Sequence, residues 1–168
     1  MQTRAVQIAF TLICLVAAAT AQELLPTFGG TKTPMLAIFA VYTATRPSRR
    51  WMPVAVAAGA FEDALNGSPI PCCTFFTLLA ATGAHILRPF AQGLPPAGVG
   101  ACAAMVAAPV REMWLSIWGA LPPGCPVLVR FFASALPAAA AGALVFAALP
   151  AAETLAGFSV PETGRRQR

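Results

Sequence analysis

Charge is what this sequence has least of. Only 10% of its 168 residues are Asp, Glu, Lys or Arg, against about 25% in an ordinary soluble domain, so a water-facing surface could hardly be built from it. A single histidine, His85, is too little for a metal site, and no acid lies near it in sequence to make a catalytic relay. The five cysteines, Cys14, Cys72, Cys73, Cys102 and Cys125, lack metal-ligand spacing and read as small apolar packing residues, with Cys125 alone in a loop. No nucleophile elbow, phosphate loop, zinc motif or dinucleotide fingerprint occurs. These absences make an enzyme the poorest of the available classes and imply no cofactor. The net charge is +5, but the basic residues are scattered without aromatic interleaving, which argues against nucleic acid as a partner.

What the sequence has in abundance is apolar length. Hydrophobic residues make up 58% of the chain and the mean hydropathy is +0.71. They fall into six runs: Ala5 to Gln22, Pro34 to Thr45, Trp51 to Leu65, Pro71 to Leu87, Val99 to Trp118 and Pro126 to Pro150. If the chain begins in the cytoplasm and crosses a membrane at every run, the cytoplasmic segments hold Arg4, Arg46, Arg49, Arg50, Arg88, Arg165, Arg166 and Arg168. The opposite side then holds only Lys32. That asymmetry is the positive-inside pattern, with the arginines facing anionic headgroups of a lipid bilayer. The expected fold class is all-α, a polytopic membrane bundle of about six transmembrane helices.

Individual spans are less regular. The charge-free windows Ala64 to Leu87 and Phe131 to Ala152 reach the ~20 residues a hydrocarbon core needs, whereas 34 to 45 and 51 to 65 are too short. Glu62 and Asp63 in the latter are expected near a helix end or facing protein, because a central carboxylate costs about 2.5 to 3.5 kcal/mol. Sixteen prolines include Pro53, Pro109 and Pro137, each expected to kink a span. Gly98, Gly100, Ala104 and Ala108 recur at close to one-turn intervals, which suits close helix packing.

The first run has two readings. Arg4, an apolar stretch and Ala19-Thr20-Ala21 before Gln22 have the three parts of a signal peptide, and a first transmembrane helix would look similar. The chain accordingly divides into residues 1–22 as first helix or leader, 23–150 as the remaining bundle and 151–168 as a basic cytoplasmic tail.

Three arginines or acids inside runs stand out. Arg111 and Glu112 lie mid-run, where an ionisable residue points to a cavity, a proton path or an ion-pair partner. Adjacent helical residues diverge by about 100°, so these two are not expected to pair with each other. Arg130 is expected to snorkel from the first turn of its helix. His85 reads as an interfacial polar residue beside Arg88.

Three segments resemble a known family. Thr45-Arg46-Pro47-Ser48-Arg49-Arg50 is similar to the basic turn between the second and third helices of the carboxyl half of a major facilitator transporter. The run Gly93-Leu94-Pro95-Pro96-Ala97-Gly98-Val99-Gly100-Ala101-Cys102 resembles the entry to the penultimate helix in the organic ion branch, solute carrier family 22. Leu149-Pro150-Ala151-Ala152-Glu153-Thr154-Leu155 and Val160-Pro161-Glu162-Thr163 look like the doubled Pro-Glu-Thr element after that branch's last helix. Ala107 stands where the branch commonly has a basic residue, and Arg111 follows one turn later.

The resemblance implies half of a transporter that moves organic ions, in the plasma membrane, with an uncleaved first helix and both termini cytoplasmic. One half has no facing surface to form a midplane site, so it implies a homodimer or a second transporter half as partner. The implied substrate-cavity residues are Arg111 on an anionic group, Glu112 as counter-charge, and Tyr42 and His85 as hydrogen-bonding groups. The competing reading is a non-transporting membrane scaffold or accessory subunit, or a truncated product. A secreted protein with a cleaved leader ranks last for want of surface charge.

Overall fold

A computed structural model of the chain describes residues 4–27, 31–46, 50–67, 70–91, 93–118 and 126–157, without the side chains of Val127 and Phe131. Among these residues there are six helices and no strand: α1 (Arg4–Leu24), α2 (Met35–Thr45), α3 (Trp51–Asn66), α4 (Cys72–Ala91), α5 (Pro96–Ile117) and α6 (Val127–Leu155). Each corresponds to one apolar run. The architecture is an all-α bundle.

Helix α2 reads MLAIFAVYTAT, apolar on every side, and a helix hydrophobic all round belongs in an interior. Leu36 through Ala44 are all buried, and α2 touches each of the other five helices. Around it the order of neighbours is α1, α3, α4, α5, α6.

Contacts at the helix ends establish a strict up-and-down course. Gln22 ending α1 meets Leu36 opening α2 and Glu62 ending α3, and Asp63 ending α3 meets Cys73 opening α4. At the opposite end, His85 late in α4 meets both Ala44 of α2 and Trp51 opening α3, and Arg46 meets Glu153 late in α6.

Local chemistry explains where the helices stop and start. Gly67 ends α3 with φ of 62°, the left-handed conformation that lets its N–H reach back to Asp63 and Ala64 carbonyls. Pro96 opens α5, where its missing N–H costs nothing. The Asp63 carboxylate caps α4 from outside it, accepting from the backbone N–H groups of Cys73 at 2.8 Å and Thr74 at 2.9 Å and from the Thr74 hydroxyl at 2.7 Å. That bond set requires α3 and α4 to approach closely at Gly59, where a Cβ would overlap the Thr74 backbone.

The most extensive pairing is α5 on α6, and small residues make it. A Cβ on Gly100 would collide with the Gly142 carbonyl and one on Gly142 with the Gly100 carbonyl, while Ala104 and Ala108 pack with Ala138 and Ala141. Gly98 stands outside this contact and approaches only Pro95.

Several sequence expectations are corrected. The window from Ala64 to Leu87 is not one span, since the chain turns after Asn66 and resumes helix at Cys72. Pro53 lies in the first turn of α3, where its missing donor is not needed, whereas Pro109 and Pro137 are interior, as are Pro89 and Pro150. Helix α6 continues through Pro150 to Leu155, so Leu149 to Leu155 are helical rather than following the last helix. Pro47 to Arg49, Cys125, Val160 to Thr163 and Arg165 to Arg168 lie outside the described residues.

Two helices, Arg4–Leu24 and Leu128–Leu155, are long and apolar enough to cross a membrane. At ~1.5 Å per residue, the 11 residues of α2 extend about 16 Å, roughly half of a ~30 Å hydrocarbon core.

Candidate functional site

Polar chemistry gathers at the two ends of α2. At the end where α2 begins, Gln22, Glu62, Arg111, Glu112 and Arg130 are buried, with Glu62 0%, Arg111 5%, Glu112 2% and Arg130 2% exposed. The Glu62 Oε1 atom accepts from the Arg111 guanidinium through Nη2, and from Gln22 Nε2 at 3.4 Å. Gln22 uses its carbonyl oxygen to accept the Leu36 N–H at 3.3 Å, capping α2. The other Arg111 nitrogen, Nη1, donates to Glu112 at 3.1 Å.

Two findings correct the sequence expectations here. Arg111 and Glu112 do pair, because the long arginine side chain bends around the helix to reach its neighbour. Arg130 does not snorkel to an edge: it is buried and acts electrostatically on Glu112. With two carboxylates against two guanidiniums the cluster is charge-balanced. Such a group favours one helix arrangement strongly, because removing either partner leaves a buried charge uncompensated.

At the other end of α2 the side chains border open space. Arg46 donates to the Tyr42 hydroxyl through Nε at 3.1 Å and Nη2 at 2.6 Å, and its guanidinium carbon lies 4.9 Å from the Tyr42 ring centre. Nη2 also pairs with Glu153 at 3.3 Å. Tyr42 and Arg46, one helical turn apart, therefore form a single unit held by α6. Edge-to-face contact with Phe146, centroids 5.2 Å apart, fixes the Tyr42 ring.

This unit forms one wall of a pocket of about 240 Å³, completed by Thr45, Arg88, Ala91, Leu94, Pro96, Val99, Phe146 and Pro150. Arg88 comes from the last turn of α4 and has no ion-pair partner among the described residues.

Among the described residues, the four substrate-cavity residues expected from sequence lie in different places. Arg111 and Glu112 belong to the buried cluster, Tyr42 to the pocket about two turns along α2, and His85 to neither. His85 Nδ1 lies 3.1 Å from the Ala44 carbonyl, and its ring stacks on Trp51 with centroids 5.2 Å apart. Gln22, Glu62, Arg130, Arg46, Glu153 and Arg88 are the participants that the sequence does not assign to a site. Only Arg46 carried a local signal, its spacing of four from Tyr42.

Among the described residues no group of three or more His, Cys, Asp or Glu side chains could hold a metal ion. Cys72 and Cys73 are buried and Cys102 is exposed. Comparison with protein-family models, with curated proteins and with solved structures finds no match to this chain.

Proposed function

We propose that this protein is a multi-pass membrane protein that acts as a non-transporting subunit, a compact helical scaffold for other membrane components. The observation that carries the membrane part is inverted polarity. Charged residues occupy the interior while large apolar side chains face outward, among them Phe90 at 80% and Leu136 at 75% exposed, with Ile13, Val106, Leu128 and Phe132 alongside. In water that arrangement is unfavourable on both counts, because buried charge is costly and exposed apolar surface promotes aggregation. In lipid the outward apolar side chains meet their own kind of solvent, and the charges are better placed inside the bundle than against hydrocarbon. Among the described residues, the up-and-down course also puts Arg4, Arg46, Arg50 and Arg88 at one end and, of the unburied basic residues, only Lys32, paired to Glu23, at the other. That supports a cytoplasmic position for the Arg46 end.

The scaffold part rests on how the buried charges are used. Arg111, Glu112, Glu62 and Arg130 neutralise one another, and α5 is zipped to α6 by backbone-to-backbone contact at Gly100 and Gly142. A bundle tied in this way suits a rigid interaction surface. Half of an organic ion carrier is the second reading, favoured by Tyr42 and two arginines in one pocket, and it requires a homodimer or a separate half to complete a passage.

Carbonate extraction tests the membrane reading, which predicts that the protein stays in the pellet; release into the supernatant contradicts it. Uptake of organic anions by the purified protein in liposomes separates the two functions. The scaffold reading predicts no uptake above empty liposomes.

A further inference from the structure

The geometry points to the pocket at the Arg46 end as a binding site for a phosphate-bearing anion, with a lipid headgroup or a soluble phosphate ester as the two sources of that chemistry. The inference rests, for its lipid arm, on the membrane reading above.

The charge count within the pocket is its first support. Arg46 and Arg88 both line it, no carboxylate among the described residues does, and Arg46 is already paired with Glu153 beside it. One positive charge is left over, on Arg88, which is only partly exposed and pairs with no described carboxylate. Desolvated guanidinium groups bind phosphate through paired, charge-assisted hydrogen bonds better than they bind water.

The form of the pocket is the second support. Tyr42 and Glu153 hold the Arg46 fork in place, so little ordering remains to be done on binding. The rest of the lining is largely apolar, and Leu94, well exposed, is placed to accept hydrocarbon next to the charged group. A phosphate with an attached apolar body matches both halves. If the bundle spans a membrane with the Arg46 end in the cytoplasm, the pocket lies at the depth of the anionic headgroups.

The test uses the purified full-length chain and the Arg88→Gln variant, which removes the unpaired charge without touching the Arg46–Glu153 pair. An Arg50→Gln variant serves as a control, since Arg50 does not line the pocket. Each is titrated in phosphatidylcholine nanodiscs with increasing phosphatidic acid, with lipid retention read by native mass spectrometry, and separately in detergent with inorganic phosphate, read by thermal shift. The expected result is retention of phosphatidic acid over phosphatidylcholine that falls at least about tenfold in Arg88→Gln and is unchanged in Arg50→Gln. A thermal shift with inorganic phosphate, lost in Arg88→Gln, assigns the site to a soluble phosphate ester instead. If wild type and Arg88→Gln are indistinguishable in both arms, the inference is overturned. Release by carbonate alone removes the membrane reading and leaves the phosphate arm to decide the site.

Discussion

Arg111 on α5 and Glu62 at the end of α3, 49 residues apart in sequence, form an ion pair in the interior of the bundle. Gln22 joins them from α1 and passes the connection to the first turn of α2. Four helices are thus tied at one point, and most of the expected behaviour of the protein follows from what that point and its counterpart at the other end of α2 require.

Breaking the pair from one side should be costly. Glu62→Gln leaves the Arg111 charge shared with Glu112 alone and is expected to lower stability by about 3 to 5 kcal/mol. Replacing both partners, Glu62→Leu with Arg111→Met, is expected to cost clearly less than the two single changes added together. Thermal unfolding in detergent of Glu62→Gln and of the four proteins in the Glu62→Leu/Arg111→Met cycle checks both statements, and additive losses would count against the pairing.

The α5–α6 contact should tolerate no side chain at its closest point. Gly100→Ala places a methyl group against the Gly142 carbonyl and is expected to destabilise by about 1 to 3 kcal/mol. Gly98→Ala, which meets only Pro95 at 3.4 Å, should leave stability within about 0.5 kcal/mol. The same unfolding assay separates them.

Asp63 caps a helix to which it does not belong. Asp63→Ala removes the acceptor for two N–H groups and the Thr74 hydroxyl and is expected to cost about 1 to 3 kcal/mol. Hydrogen exchange should show the loss as faster exchange at Cys73 and Thr74, with α5 and α6 little changed.

The outward faces should reject charge where the interior accepts it. Leu144→Arg, on an exposed position of α6, is expected to oppose insertion by about 2.5 to 3.5 kcal/mol. Expression in the membrane fraction should fall accordingly. A protein unaffected by this change would not be using α6 against lipid.

Much of the bundle was legible in the sequence because apolar runs and turn residues are local signals. Each of the six runs became one helix, and the small residues Gly100, Ala104 and Ala108 lie in the α5–α6 contact. The failures are equally physical. The gap between the third and fourth runs marks the turn at Gly67, but the charge-free window from Ala64 to Leu87 runs across it, since absence of charge does not register a change of direction. The extension of α6 past Pro150 depends on the preceding helix being packed well enough to tolerate a missing hydrogen bond.

The sites were harder to read. Partners such as Gln22 with Glu62 are separated by 40 residues, and nothing in either neighbourhood announces the other. Arg130 was misplaced because a first-turn arginine reaches the interface in an isolated helix, but here the bundle covers it. Arg46 and Arg88 read as charges that set orientation, and their convergence on one pocket appears only when the C-terminal ends of α2 and α4 lie side by side.

The central claim is a membrane bundle with the Arg46 end in the cytoplasm, and cysteine topology in intact cells tests it most directly. Single cysteines would be introduced at Lys32, Ser48, Ile70 and Gln92 in a chain whose native cysteines are replaced. The account predicts that an impermeant maleimide labels positions 32 and 70 at once and reaches 48 and 92 only after the membrane is permeabilised. Labelling of all four positions in intact cells, or the reverse pattern, would contradict it.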